Sequence, residues 1–235
     1  MLKKGVQDSA YMVNISRNKS LHISKDIYSH LWIPTNHKSE VINLWNKYNR
    51  DVYPYDDLEL GIRTAFFRDR LKEQLTNNPN IIFINIGSGF TSYQYLVNNN
   101  IRTIEVDFSN IIAAKKKRAK TLINNDIIPE RQTEYISCNL INPQSRKRAF
   151  KQMSEIIGNN KTFVLCEGLL YYLPKCIVDL LMKNLSMLQS SGDTIAFDYW
   201  NEDVKESKIY SNMIDFYINE MNIQESEINL FDPLT

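Results

Sequence analysis

Two glycines, Gly87 and Gly89, follow the apolar run IIFINI, which has the length and composition of a buried strand. Because glycine has no Cβ atom, it adopts a positive φ readily and lets a ligand approach the backbone. The pair lacks the third glycine of a dinucleotide fingerprint and the Lys-Ser/Thr ending of a P-loop. The spacing therefore favours a nucleoside ligand without a pyrophosphate, and the alternative is a tight turn that binds no ligand.

Polar residues at the ends of later predicted strands suit such a ligand. Asp107 lies 18 to 20 positions after the glycines, where a carboxylate can bind both hydroxyls of a ribose or begin a helix. Asn139 could accept a hydrogen bond from an adenine amino group, or it is an ordinary turn residue. Glu167 follows the apolar run TFVLC and needs a cationic partner, either a bound ammonium group or a basic side chain. S-adenosylmethionine carries all three groups.

The cationic residues suggest a second set of roles. Arg63 lies on an otherwise apolar helix face and could bind a carboxylate through two parallel hydrogen bonds, or pair with Asp69 or Glu59 of the same helix. The run KKKR at 115–118 is typical of the solvated face of a helix. The three histidines show neither metal-ligand spacing nor a nucleophile partner, so the sequence predicts no metal site.

The composition narrows the class of protein. The formal net charge of +1 gives no global attraction to nucleic acid or to an anionic membrane. Three cysteines without CxxC spacing fit a reducing compartment. No apolar run reaches the roughly 20 residues that span a bilayer, and the first residues contain no signal-peptide core. We therefore expect a cytoplasmic protein that binds neither nucleic acid nor membrane.

Strands and helices are predicted to alternate after about residue 57, which is typical of a parallel α/β sheet with helices on both faces. The strands are predicted at 81–86, 102–106, 133–138, 162–166 and 194–199, and the helices at 57–76, 91–98, 109–124, 144–157, 174–188 and 203–221. Residues 1–55 do not join the alternation and contain predicted helices at 8–18 and 25–33. We interpret 1–55 as a helical lid or substrate segment and 56–235 as the cofactor-binding part of one structural domain.

Several motifs together resemble a known family. They are GIRTAFFRDRL, FINIGSGFTSYQYL, IRTIEVDFSNIIAAKKKR, YISCNL and LCEGLLYYLP. The set resembles the class I S-adenosylmethionine-dependent methyltransferases of the leucine carboxyl methyltransferase and tetracenomycin-type polyketide O-methyltransferase family. The resemblance covers roughly residues 8–200, and it implies a Rossmann-like fold with S-adenosylmethionine as cofactor and S-adenosylhomocysteine as product.

The resemblance also implies roles for individual residues. Arg63 would hold the methionine carboxylate of the cofactor, and Tyr172 would face the reaction centre, so these two are the predicted catalytic residues. The family usually has Asp where this chain has Asn139, whose amide oxygen can still accept a hydrogen bond. The remaining implied cofactor contacts are Gly87, Ser88, Gly89, Glu105, Asp107, Asn139, Leu140, Glu167 and Gly168. The candidate substrate contacts are Arg17, His22, Lys25, Tyr171 and Tyr199.

The family usually continues past the equivalent of residue 235 with two strands that complete the sheet. The resemblance therefore predicts that the C-terminal strands are missing or truncated here. An open sheet edge favours association, so a second copy or a partner chain could cover it.

The acceptor is predicted from chemistry and from the family together. A carboxylate, with a reference pKa of about 4, needs no base for an in-line displacement, whereas a phenol, at about 10, needs one. We therefore favour carboxyl O-methylation of a small molecule or peptide C-terminus, with Arg17, Lys25 or Arg63 binding the carboxylate. Open alternatives are a phenolic or polyketide hydroxyl with His22 or His30 as base, a non-catalytic cofactor-binding or partner protein, and a nucleotide-dependent oxidoreductase.

Overall fold

The computed structural model describes residues 4–97 and 100–229. Five strands form one sheet, in which every pair is parallel and the order is β3-β2-β1-β4-β5. The strands are β1 (Ile82–Ile86), β2 (Arg102–Asp107), β3 (Thr133–Ser137), β4 (Thr162–Cys166) and β5 (Thr194–Phe197). This confirms the predicted Rossmann-like α/β class. The strand order reverses beside β1, and in such sheets ligands bind at the carboxyl ends of the strands at that point.

Helices cover both faces of the sheet. They are α1 (Lys4–Lys19), α2 (Leu21–Ser24), α3 (Lys38–Asp51), α4 (Asp56–Asn77), α5 (Ser109–Asn124), α6 (Pro143–Ile157), α7 (Lys175–Leu188) and α8 (Lys208–Met221). None of the helices in the described ranges is long and apolar enough to cross a membrane.

The central strand β1 is buried along its whole length, because helices pack against both of its faces. Ile82, Ile84 and Ile86 belong to the apolar cluster that contains residues of α6 and α7. Phe83, which points to the opposite face, belongs to the cluster with Phe67 of α4. Successive side chains of β1 thus pack into apolar layers on opposite faces of the sheet. This packing holds the end of β1, and with it the turn at Gly87, in place.

The N-terminal helix α1 packs against α3 and α4 and is tied to the body of the protein by polar contacts. Asn14 Nδ2 donates to the Phe90 carbonyl at 3.1 Å, in the turn that follows β1. Ser16 Oγ donates to Asp56 Oδ2 at 2.5 Å, at the start of α4. The N-terminal segment therefore lies over the ligand end of the sheet.

Three predicted elements differ from the structure. Residues 91–98 contain a single 3-10 turn, Tyr93–Tyr95, and residue 98 lies outside the described residues. The predicted helix at 25–33 is wrong, because Lys25 ends α2 with a φ of 54° and only a short 3-10 turn, Ser29–Leu31, follows.

The predicted helix at 203–221 is divided into the 3-10 turn Glu202–Glu206 and α8. The division falls at Ser207, whose side chain accepts a hydrogen bond from the Tyr210 N–H and caps α8. The prediction also omitted α3, a helix of 14 residues.

Candidate active site

A cavity of about 420 Å³ opens at the carboxyl ends of β1, β2 and β4, beneath α1 and between α4 and α8. Nine of the residues predicted from the sequence line it, and they come from five separate parts of the chain. These are Arg17, Arg63, Gly87, Gly89, Asp107, Glu167, Gly168, Tyr171 and Tyr172. The fold therefore brings together most of the predicted cofactor residues and two of the predicted substrate residues.

The glycine turn after β1 has the backbone conformation that the sequence indicated. Gly87 and Gly89 have φ values of 68° and 45°, in the region that side chains disfavour. The Gly87 N–H donates to the Val106 carbonyl at 2.8 Å, which holds the turn against β2. A Cβ atom on Gly87 would lie 2.9 Å from Leu169 Cδ1. The loop after β1 thus packs closely against the loop after β4, and both loops line the cavity.

Asp107 ends β2 and points its carboxylate back at this turn. Its Oδ2 accepts a hydrogen bond from the Gly89 N–H at 2.7 Å, and its Oδ1 accepts one from the Phe108 N–H at 2.6 Å. Burial raises the pKa of Asp107 in spite of these two donors. Each carboxylate oxygen has a second lone pair, so the side chain can accept from a ribose hydroxyl without losing the contacts that orient it.

Glu167 is the centre of a buried ionic cluster. Arg17 Nη2 lies 2.8 Å from both carboxylate oxygens, Arg63 Nε donates to Oε1 at 2.8 Å, and the Tyr93 hydroxyl donates to Oε2 at 2.7 Å. Burial alone would raise the pKa of Glu167, but the two guanidinium groups and the tyrosine outweigh burial and hold it at about 2. The structure therefore gives Glu167 basic side chains of the protein as partners.

Asp198, which follows β5, completes the cluster and was not predicted. Its Oδ2 accepts from Arg63 Nη1 at 3.0 Å, and its Oδ1 accepts from the Gly168 N–H at 2.6 Å. Arg63 thus pairs with Glu167 and Asp198, and not with Asp69 or Glu59. The missed signal was the acid that follows the run TIAF, the same pattern that identified Asp107 and Glu167.

Several predicted cofactor residues lie away from the cavity lining. Glu105 is buried in an ion pair with Lys115, whose Nζ lies 2.6 Å from its Oε2 and also donates to the Ser88 carbonyl. The prediction that the whole KKKR run is solvated is therefore wrong for Lys115. Asn139 is exposed and its Oδ1 accepts from the Ile141 N–H at 3.1 Å, as in a turn, while Leu140 packs in the apolar core.

Three predicted substrate residues also lie outside the lining. His22 and Lys25 are exposed at and just after the short helix α2, and Tyr199 is exposed after β5. From the loop after β3, only Ile141 reaches the cavity.

One side of the cavity, called here its aromatic half, is lined by stacked rings and tyrosines. Tyr171 and Trp200 stack with ring centroids 4.1 Å apart and an angle of 2° between their planes. Five further tyrosines line the cavity: Tyr48, Tyr53, Tyr172, Tyr210 and Tyr217. Burial raises the pKa of Tyr172, while hydrogen bonds to Ser9 and Tyr217 lower it. This half of the cavity suits a ligand with flat apolar surface and few polar groups.

The fold and the donor set fit S-adenosylmethionine. A positive-φ turn, an acid at the end of a strand and an arginine converge on one cavity at the switch point of a parallel sheet. The protein therefore has the fold and the site of a class I S-adenosylmethionine-dependent methyltransferase. Residues 34–186 match the sequence model of the leucine carboxyl methyltransferase family, and the chain belongs to this family. Its cofactor is S-adenosylmethionine.

Solved structures resemble the chain at low sequence identity. A DUF574 family protein from Streptomyces avermitilis is 13% identical with a TM-score of 0.63, and the match covers 88% of this chain and 78% of that one. An O-methyltransferase family protein from Burkholderia thailandensis is 13% identical with a TM-score of 0.46, covering 85% of this chain and 62% of that one. None of the curated proteins matches the chain. The first likeness supports the fold alone.

Proposed function

We propose that the protein is an O-methyltransferase that acts on a small acceptor bound in the aromatic half of the cavity. The observation that carries the proposal is the continuity of this half with the glycine turn, Asp107 and Arg63. S-adenosylmethionine supplies an electrophilic methyl group on a sulfonium. The protein then needs mainly to align the acceptor oxygen with that methyl group and to exclude water.

Different residues of the cavity bind different parts of the cofactor. Asp107 accepts hydrogen bonds from the ribose, and Gly87 and Gly89 admit the cofactor to the backbone. Glu167 and Asp198 hold the Arg63 guanidinium in one orientation, which suits it to the methionine carboxylate. Tyr172 lines the cavity beside this cluster and would contact the reaction centre. A second copy or a partner chain at the edge strand β5, and a cytoplasmic location, are further proposals that rest on the sequence.

A carboxylate is the first candidate acceptor. It is ionised near neutrality, and the family is named for the methylation of a carboxyl group. The product would be a methyl ester of a small molecule or of a peptide C-terminus. Arg17 and Arg63 both bind Glu167, and one of them would also have to bind the acceptor carboxylate.

A hydroxyl is the second candidate, and one specific observation favours it. Among the cavity-lining residues of the described ranges, the cations are Arg17 and Arg63, and both already bind buried carboxylates. An acceptor without charge would need no further cation. A hydroxyl acceptor on an aromatic ring would also match the tyrosine and tryptophan walls.

Labelled cofactor distinguishes the two acceptors. The protein is incubated with S-adenosylmethionine carrying a labelled methyl group and with separate pools of small acids, phenols and peptides. A methyl ester releases labelled methanol in base, whereas a methyl ether retains the label. Calorimetric titration with S-adenosylmethionine, S-adenosylhomocysteine and NAD is the control for the cofactor. Lack of binding of the first two would exclude the proposed activity, and binding without any labelled product would favour a non-catalytic role.

A further inference from the structure

One half-buried carboxylate, Asp56, lies in the acceptor half of the cavity and forms no ion pair with the described residues. It begins α4 and lines the cavity beside Tyr48, Tyr53 and Tyr217. Ser16 Oγ donates to Asp56 Oδ2 at 2.5 Å, and Trp45 Nε1 donates to the same Ser16 oxygen at 2.7 Å. Because Trp45 can only donate, the Ser16 hydroxyl must donate elsewhere, and Asp56 Oδ2 at 2.5 Å is a closer acceptor than the Met12 carbonyl at 3.3 Å. The carboxylate is thus fixed through Oδ2, and among the described residues Oδ1 has no recorded hydrogen bond, which leaves it for a ligand.

The position of Asp56 on its helix relates it to the cofactor end of the cavity. Asp56 and Arg63 are seven residues apart, two turns of α4, so both face the cavity about 10 Å apart along the helix axis. Leu60, between them, lines the same face. An acceptor that reaches from the methionine end of the cofactor toward the tyrosines therefore lies alongside Asp56.

The surroundings of Asp56 raise its pKa, and burial is the largest cause. Burial raises its pKa, the Ser16 hydroxyl and Arg63 lower it, Glu59 and Asp57 raise it, and the result is a pKa of about 6. The elements packed against it add the phenol groups of Tyr48 from α3, Tyr53 from the connecting loop and Tyr217 from α8. A base with a pKa near the working pH is both ionised and basic enough to take a proton.

We propose that Asp56 is the general base of the reaction and that the acceptor is a phenolic hydroxyl. This inference rests on the proposed O-methyltransferase function. The acceptor O–H bond breaks and its proton moves to the Asp56 carboxylate. The oxygen forms a bond to the methyl carbon, and the carbon–sulfur bond breaks with its electron pair remaining on sulfur. The products are an aryl methyl ether, S-adenosylhomocysteine and protonated Asp56, which returns the proton to water.

The histidines considered as bases from the sequence do not take this role. His22 is exposed and His30 is half-buried, and neither lines the cavity. Asp56 was not considered from the sequence, because an acid at a helix start is explained by the helix dipole alone.

Three probes and two variants test the inference. The probes are p-cresol, the more acidic p-nitrophenol and phenylacetate, and the variants are Asp56→Asn and Asp57→Asn. We expect base-stable labelled product from the phenols and none from phenylacetate. Asp56→Asn should lower kcat/KM for p-cresol by about 100-fold or more, with a smaller loss for p-nitrophenol, which needs less help to ionise. Asp57→Asn removes a neighbouring carboxylate outside the cavity lining and should cause no comparable loss with either phenol, because Asp57 acts on Asp56 only as a nearby charge.

The pH profile and the cofactor affinity show whether Asp56 acts as a base or only supports the structure of the site. For the unaltered protein, kcat/KM for p-cresol should rise with pH through about 6, where Asp56 loses its proton, and this limb should be absent in Asp56→Asn. Calorimetry should give the same affinity for S-adenosylhomocysteine in both. Equal losses for the two phenols, an unchanged pH limb or ester product alone would overturn the inference and leave the methyltransferase proposal intact. Failure of the unaltered protein to bind the cofactor would instead overturn the proposed function.

Discussion

Replacing Glu167 with Gln is expected to lower the free energy of unfolding by about 3–5 kcal/mol, the cost of removing one partner from a buried ion pair. Glu167 binds the guanidinium groups of both Arg17 and Arg63, and its side chain is only 3% exposed. A neutral amide keeps the shape of the side chain, but among the described residues Arg63 then keeps only Asp198 as an ion-pair partner and Arg17 keeps none. Urea denaturation should show a lower midpoint with an unchanged slope.

The matched control is Glu134→Gln, which alters an exposed glutamate of β3. We expect that variant to stay within about 0.5 kcal/mol of the unaltered protein. A loss below about 1 kcal/mol in Glu167→Gln would contradict the assignment of a tightly coupled cluster, because surface ion pairs alone contribute that much.

The same cluster predicts a pH dependence. The folded-state pKa of Glu167, about 2, lies below the ordinary glutamate value of about 4.3. Its ionised form therefore stabilises the folded state above the ordinary value, and this contribution is lost as the pH falls toward 2. The stability difference between the unaltered protein and Glu167→Gln should narrow over that interval. A constant difference from neutral pH down to 2 would contradict the depressed pKa.

The fold was predictable where apolar periodicity is strong. The buried strands are short apolar runs bounded by turn residues, and α5 lies between Ser109 and Asn124 as predicted. The helix α3 carries its own signal, since Val41, Trp45 and Tyr48 are buried at helical spacing, but its polar composition and the prolines on either side of it obscure that signal. The predicted helix at 91–98 is too short for periodicity to separate a helix from a single turn.

The site was predictable where a residue ends a strand, and not where two distant segments meet. Asp107 and Glu167 were found because the carboxyl ends of parallel strands share one edge of the sheet. The Arg17–Glu167 pair joins residues 150 positions apart, and no local pattern specifies that contact. The Lys115–Glu105 pair likewise joins α5 to β2. Within a run of four basic residues, the sequence does not show which one is buried. Asp198 was missed because it was counted within a strand.

Replacing Gly87 with Val is expected to weaken S-adenosylmethionine binding by about 10- to 100-fold, which corresponds to about 1.4–2.8 kcal/mol. The Gly87 φ of 68° lies in the left-handed region, where a β-branched residue is strained by about 1–3 kcal/mol. Its new Cβ atom would also lie 2.9 Å from Leu169 Cδ1, so Leu169 must move. Leu169 lines the cavity, and both changes therefore disturb the turn against which the cofactor is proposed to lie.

Gly158→Val is the matched control for backbone strain. Gly158 also has a positive φ, 54°, but a Cβ atom on it would meet none of the described atoms within 4 Å, and the residue follows α6 away from the cavity. Both variants should lose stability in urea, because both place a β-branched residue at a positive φ. Only Gly87→Val should lose affinity for S-adenosylmethionine in calorimetry. If a folded Gly87→Val protein binds the cofactor as tightly as Gly158→Val does, the turn after β1 is not part of the cofactor site.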